Sequence, residues 1–177
     1  MIKETIQHLE KISDYSIDLM KEILSDIAKL SQYSWQQAHN KLDSINKKID
    51  LARSEWVNVD ELDKQVLDFR VIIFNRDITN KIEEIESHSN RHSFDISRIE
   101  SEYQEFKKEK NIDHSLLETE MKKLSNELAR ANLKYMIRDI TEWGGTSTYS
   151  IDHVAHKLEI LKEEWIYVDD IEEMLFG

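Results

Sequence analysis

Two histidine pairs in this 177-residue chain are spaced for metal ligation. His88 and His92 stand four apart and His153 and His156 three apart, so each pair would put two imidazoles on one helical face, where added carboxylates could complete a divalent-ion site. Neither motif is complete. "HSNRH" lacks the glutamate that follows the first histidine of zinc peptidases, and "ESHS" at Glu86 misses the Glu-x-x-His of di-iron bundles. The glycine-rich stretch "WGGTSTYS", Trp143 to Ser150, could offer amides to an anion but lacks the G-x-x-x-x-G-K-[ST] spacing that cradles phosphate. There is no G-x-S-x-G elbow, and with no cysteine there is no thiol nucleophile, thiolate zinc site or disulfide. The expectation is a non-enzymatic chain with no catalytic, cofactor or metal site; a metal-binding bundle is the least favoured alternative.

A different chemistry is concentrated in "EEWIYVDDIEEML", Glu163 to Leu175. Between Glu159 and Glu173 seven acids face the single base Lys162. Carboxylates around exposed aromatic groups are suited to capturing a basic protein, because charge steers encounter and a ring supplies desolvated contact. The candidate binding residues are Glu159, Glu163, Glu164, Tyr167, Asp170, Glu172 and Glu173. Trp165 ends an apolar stripe, and that position predicts a core residue.

The elements that must position these groups are helical. Proline is absent and glycine occurs only at Gly144, Gly145 and Gly177, so little interrupts helices. "KIDLARSEWVNVDELDKQVL" (Lys48 to Leu67) aligns without a gap on "KLEILKEEWIYVDDIEEMLF" (Lys157 to Phe176), with Trp56 on Trp165, Val59 on Val168 and Asp60 on Asp169. A weaker middle copy places Phe106 at the tryptophan and Ile112-Asp113 at Val-Asp. Upstream, Ser34, Ser93 and Ser150 each precede an apolar stripe and are candidate N-caps, Ser34 with a capping-box Gln37. Serine to tryptophan is 22 residues in the first copy and 15 in the last, and a difference of seven keeps the buried face in register. Asp60, Asp113 and Asp169 read as the caps of following helices.

These signals predict an all-α fold: an antiparallel helical bundle or short solenoid of three long αα-hairpins with a short C-terminal helix. The hairpins pair 2–31 with 34–57, 60–86 with 93–110, and 113–143 with 150–166, followed by 169–176; "DYSID" at Asp14 is a possible break in the first helix. One domain over 1–177 is expected, with hairpins at approximately 1–58, 59–111 and 112–177. "RDIT" occurs twice, and Arg76 with Asp77, or Arg138 with Asp139, reads as surface charge or as an ionic contact between hairpins.

Charge narrows the partners. The formal net charge of −12 divides as −1 over 1–59, −4 over 60–112 and −7 over 113–177. That field repels phosphate and anionic lipid, so neither direct nucleic-acid nor membrane binding is expected. The start, Met1 to Leu9, is amphipathic and charged rather than a signal peptide, and a cytoplasmic setting is expected. Two roles fit: a module that binds a basic protein partner, as an immunity or antitoxin-type inhibitor would, or a scaffold or adaptor subunit whose helices pack on other helices or on a second copy as a homo-oligomer.

Overall fold

The computed structural model describes residues 2–33, 35–55, 57–88, 93–143 and 147–176, with the backbone alone for 2–13, 31, 35, 36 and 176. The fold is all-α: α1 (Ile2–Lys29), α2 (Trp35–Ser54), α3 (Asp60–Ser87), α4 (Ser97–Phe106), α5 (His114–Trp143), α6 (Ile151–Glu163) and α7 (Asp169–Phe176), with a 3-10 turn at Leu30–Gln32. No strand occurs among the described residues, and no helix is long and apolar enough to cross a membrane. α1 continues unbroken through Asp14 and Ser16.

Two compact units divide the chain, residues 1–74 and 75–177. In the first, α1 packs on α2. Its core takes Leu19, Ile23, Ile27 and Leu30 from the α1 side, Ala38, Leu42, Ile45, Ile49 and Ala52 from α2, and Leu62, Val66 and Ile73 from α3. Steps of three and four along α2 keep these side chains on one face of a 3.6-residue helix. Lys48 clasps the pair from outside the core, reaching Asp26 at 2.5 Å and Glu22 at 2.6 Å on α1.

In the second unit α5 packs on both α6 and α7. Leu133, Met136 and Ile137 of α5 meet Val154, Leu158 and Leu161 of α6, with Ile166, Val168 and Ile171 completing the cluster. α4 is tied to α3 by Arg98, whose guanidinium lies 2.6 Å from the buried carboxylate of Asp77. Asp77 is therefore a buried ion-pair partner rather than a solvated surface charge. The second "RDIT" differs: Arg138 pairs with Glu142 one turn on, and Asp139 accepts a hydrogen bond from the Ser147 hydroxyl at 2.5 Å.

Helix starts follow the sequence in part. Ser150 caps α6, its hydroxyl accepting from the His153 amide at 3.2 Å, and Asp113 caps α5 through the amides of Ser115 and Leu116. The Ser115 hydroxyl, which also donates to Asp113 at 2.7 Å, and then the Leu116 amide hold the Asp113 carboxyl below the usual aspartate range. Ser93 does not begin a helix. α4 starts at Ser97, where Asp95 accepts from both the amide and the hydroxyl of Ser97. Asp60 and Asp169 are the first helical residues rather than caps; the carbonyls of Val59 and Val168 accept the first helical bonds instead, from Asp63 and Glu172. Ser34 lies outside the described residues.

Apolar position in the stripe does not by itself settle burial. Ile151 falls on the predicted face of α6 yet is 58% exposed, because it sits at the first turn, whereas Leu158 is 1% exposed. Leu158→Ala is expected to cost about 2–5 kcal/mol and Ile151→Ala less than about 0.5 kcal/mol, measured by denaturant unfolding. Equal costs would contradict this packing.

Candidate functional site

The aligned copies fold into the same local device, a helix stop followed by an immediate new helix. At the end of α6 the Ile166 amide bonds the Leu161 carbonyl and the Trp165 amide bonds the Lys162 carbonyl, both at 2.9 Å. Those two bonds are a Schellman stop, which satisfies the last carbonyls of the helix and requires a left-handed residue between the cap and the outgoing chain. At the end of α2 the Val57 amide bonds the Ala52 carbonyl at 3.1 Å, the equivalent closure. Val59 and Val168 are 4% and 2% exposed, so each outgoing chain is anchored by a buried valine before α3 or α7 begins.

Charge repeats with the backbone. Arg53 pairs with Asp50 at 2.6 Å and with Asp63 across the corner at 2.7 Å. Lys162 occupies the equivalent position and pairs with Glu159 at 3.2 Å and with Glu172 across its own corner. One cation in each copy thus ties the end of one helix to the start of the next. Glu172 and then Glu159 hold the Lys162 ammonium above the usual lysine range, and Asp63 does the same for Arg53. The middle segment does not share this device: Phe106 is fully buried inside the last turn of α4, with no helix stop before it.

Trp165 departs from expectation. It is 95% exposed, at φ 59°, the one non-glycine residue with positive φ among the described residues. The stripe that predicted its burial ends at Leu161. The chain turns out at Glu164, Ile166 and Val168 fill the core, and the tryptophan points into solvent. Trp56 lies outside the described residues. A β-carbon in the left-handed region costs roughly 1–2 kcal/mol, which is why glycine is the usual occupant.

The seven predicted binding residues separate by partner. Glu163, Glu164 and Glu173 are exposed and have no ion pair among the described residues. Tyr167 is 62% exposed, with its ring centroid 5.5 Å from the Arg130 guanidinium. Glu159 and Glu172 are engaged by Lys162. Asp170 is committed to α5, accepting from Arg130 at 3.1 and 3.2 Å and pairing with Lys134 at 2.5 Å. Burial works to raise its carboxyl, but the Lys134 bond and the Arg130 charge outweigh that and hold it below the usual range. Arg130 is further bound to Glu127 at 2.9 Å, and a pocket of about 100 Å³ beside it, lined also by Glu86 and Lys134, has room for water at its otherwise unpartnered Nε.

No protein-family model matches the chain, and no curated protein or solved structure is detectably similar to it. The reading of the site therefore rests on its own geometry. Arg130 was not apparent from sequence, since its role depends on α7 folding back onto α5. The position of Tyr167 carries more signal. Its counterpart Asn58 accepts a hydrogen bond from the Asp60 amide at 3.0 Å. The tyrosine side chain cannot reach the amide two residues on as an acceptor, so the second copy lacks that helix-start bond and carries an exposed ring instead.

Of the other candidates, His153 and His156 are exposed on α6, and the His88 ring bonds the Glu84 carbonyl at 3.1 Å. His92, Gly144 and Gly145 lie outside the described residues.

Trp165→Gly should leave stability unchanged or raise it by up to about 1 kcal/mol, since relief of the left-handed strain competes with added freedom in the unfolded chain. A thermal melt reads this, and a marked loss would mean that the indole packs. Asp170 gives a pH test. Its folded-state pKa is depressed, so its contribution is present above the ordinary aspartate value of about 3.9 and is lost as pH falls through the lower folded value. Asp170→Asn should flatten the acid limb of the stability curve; an unchanged limb would contradict the pairing.

Proposed function

We propose that this chain is a non-enzymatic protein-binding module whose C-terminal corner docks a basic protein surface. One observation carries the reading: Trp165 is 95% exposed in a left-handed conformation that glycine would adopt without strain. The left-handed turn serves the helix stop, but an exposed tryptophan there in place of glycine adds strain without adding a contact in the fold, and such outliers cluster at functional sites. Tryptophan is also the residue most enriched among interface hot spots, where it gains by desolvation.

The electrostatics support the same reading. Lys162, Lys134 and Arg130 neutralise Glu159, Glu172 and Asp170, while Glu163, Glu164 and Glu173 remain directed to solvent around the rings. Of the predicted binding residues, those three carboxylates are the ones able to meet cations from outside, and the exposed Asp169 adds a fourth. An inhibitor of the immunity or antitoxin type, masking a nuclease or other nucleic-acid-binding protein, works by this chemistry. A second reading, a scaffold or adaptor, draws on Ile17 and Leu24, which are 50% and 44% exposed and seven apart on one face of α1.

The test is affinity capture with the wild-type chain and with Trp165→Ser, followed by association kinetics on what the wild type retains. Docking predicts a basic protein lost by the variant and an association rate falling roughly tenfold or more from low to high salt. A rate indifferent to salt would remove the charge steering. Retention of the same protein by Trp165→Ser would remove the site.

A further inference from the structure

A cavity of about 170 Å³ opens between α5 and α6 of the second unit, walled by Ala129, Leu133, Ile160 and Leu161, with Asn132 and Lys157 at its rim. Its presence has a cause in the repeat. At the equivalent place in the first copy Lys48 crosses to Asp26 and Glu22 on α1 and closes the helix pair. Lys157 aligns with Lys48, but the α5 residues facing it across the cavity are Ala129 and Asn132. No carboxylate stands there to receive the ammonium, so the clasp is missing and the groove is left open.

We infer that this cavity receives an aliphatic or aromatic side chain of the basic partner, giving the docking surface an apolar anchor; the inference rests on the proposed docking at the C-terminal corner. Size limits the occupant: dry apolar cavities of about 150 Å³ take a single benzene, whereas drug-sized ligands need roughly 300 Å³ or more. Position and charge supply the rest. Ile160, 39% exposed at the edge, is four residues before Glu164, so the mouth lies one helical turn from an unpaired carboxylate and then from Trp165. Lys157 lies on the opposite side of the mouth, away from the corner. A segment that seats one apolar side chain with its cations directed toward Glu164, Glu163 and Trp165 meets attraction on that side, and repulsion if reversed.

The probes are two synthetic peptides of mixed lysine and arginine, identical except for a central leucine in one and serine in the other, titrated into the full chain. Burial of the leucine should favour the first peptide by about tenfold or more. Ala129→Leu, which fills the cavity from a half-buried position, should abolish that preference while leaving the salt-dependent affinity for the serine peptide unchanged. Ile160→Ser, at the exposed rim, should reduce the preference without touching the core, and serves if Ala129→Leu does not fold. Equal affinity of wild type for the two peptides, or a leucine preference that survives both substitutions, overturns the cavity while salt-dependent binding lost in Trp165→Ser leaves the corner standing. Failure of both peptides to bind overturns both.

Discussion

Burial of Ile166 and Val168 on either side of Tyr167 constrains the whole C-terminal corner. Alternate residues of a short extended segment point in opposite directions, so placing 166 and 168 in the core turns 167 outward. The Schellman bond from Ile166 to Leu161 then fixes Trp165 in the left-handed region. Burying two branched side chains contributes on the order of 3–5 kcal/mol against roughly 1–2 kcal/mol for the strained tryptophan, so the corner closes despite the residue it carries. Fold and display thus come from one set of contacts: the core selects which residues are hidden, and Trp165 and Tyr167 are what remains.

Electrostatic accounting inside the unit decides which acids are available. Lys162 spans Glu159 and Glu172, and Arg130 and Lys134 converge on Asp170, holding α7 to α6 and α5. Individually such half-exposed pairs contribute little, yet they share Asp170 and Lys162 as common nodes, and networks hold geometry better than isolated pairs. Their effect on the exposed charge is subtractive: they engage three of the six carboxylates in the predicted binding set and leave Glu163, Glu164 and Glu173.

Helix positions were legible because nothing in the chain competes with them. Without proline, and with glycine at three positions, periodicity alone delimits α1, α3 and α5 to within a few residues of the observed ends. Start signals were less reliable where two acceptors were close together: Ser93 resembles a cap, but Asp95 lies nearer the first turn and accepts from Ser97, while the residue at the cap itself, Ile96, offers no side-chain bond. Trp165 was misplaced for a physical reason. A stripe records which face of a helix is buried but not where the helix stops, and a stop one turn early turns the next stripe position outward. Arg130 and the α5–α6 cavity were invisible, since both depend on which residues of α5 face α6 and α7, and local pattern does not contain that register.

The two corners share one backbone device and differ in their side chains. In the first copy Asn58 receives the Asp60 amide and Lys48 clasps α1, so both side chains bond within the chain itself. In the second, Tyr167 replaces the asparagine and Ala129 and Asn132 face Lys157 in place of acids, so a cap and a clasp are both missing while the backbone closure is kept. Both differences lie in the second unit, and together they leave an exposed ring and an apolar hollow near unpaired carboxylates while the backbone closure that holds the corner is kept.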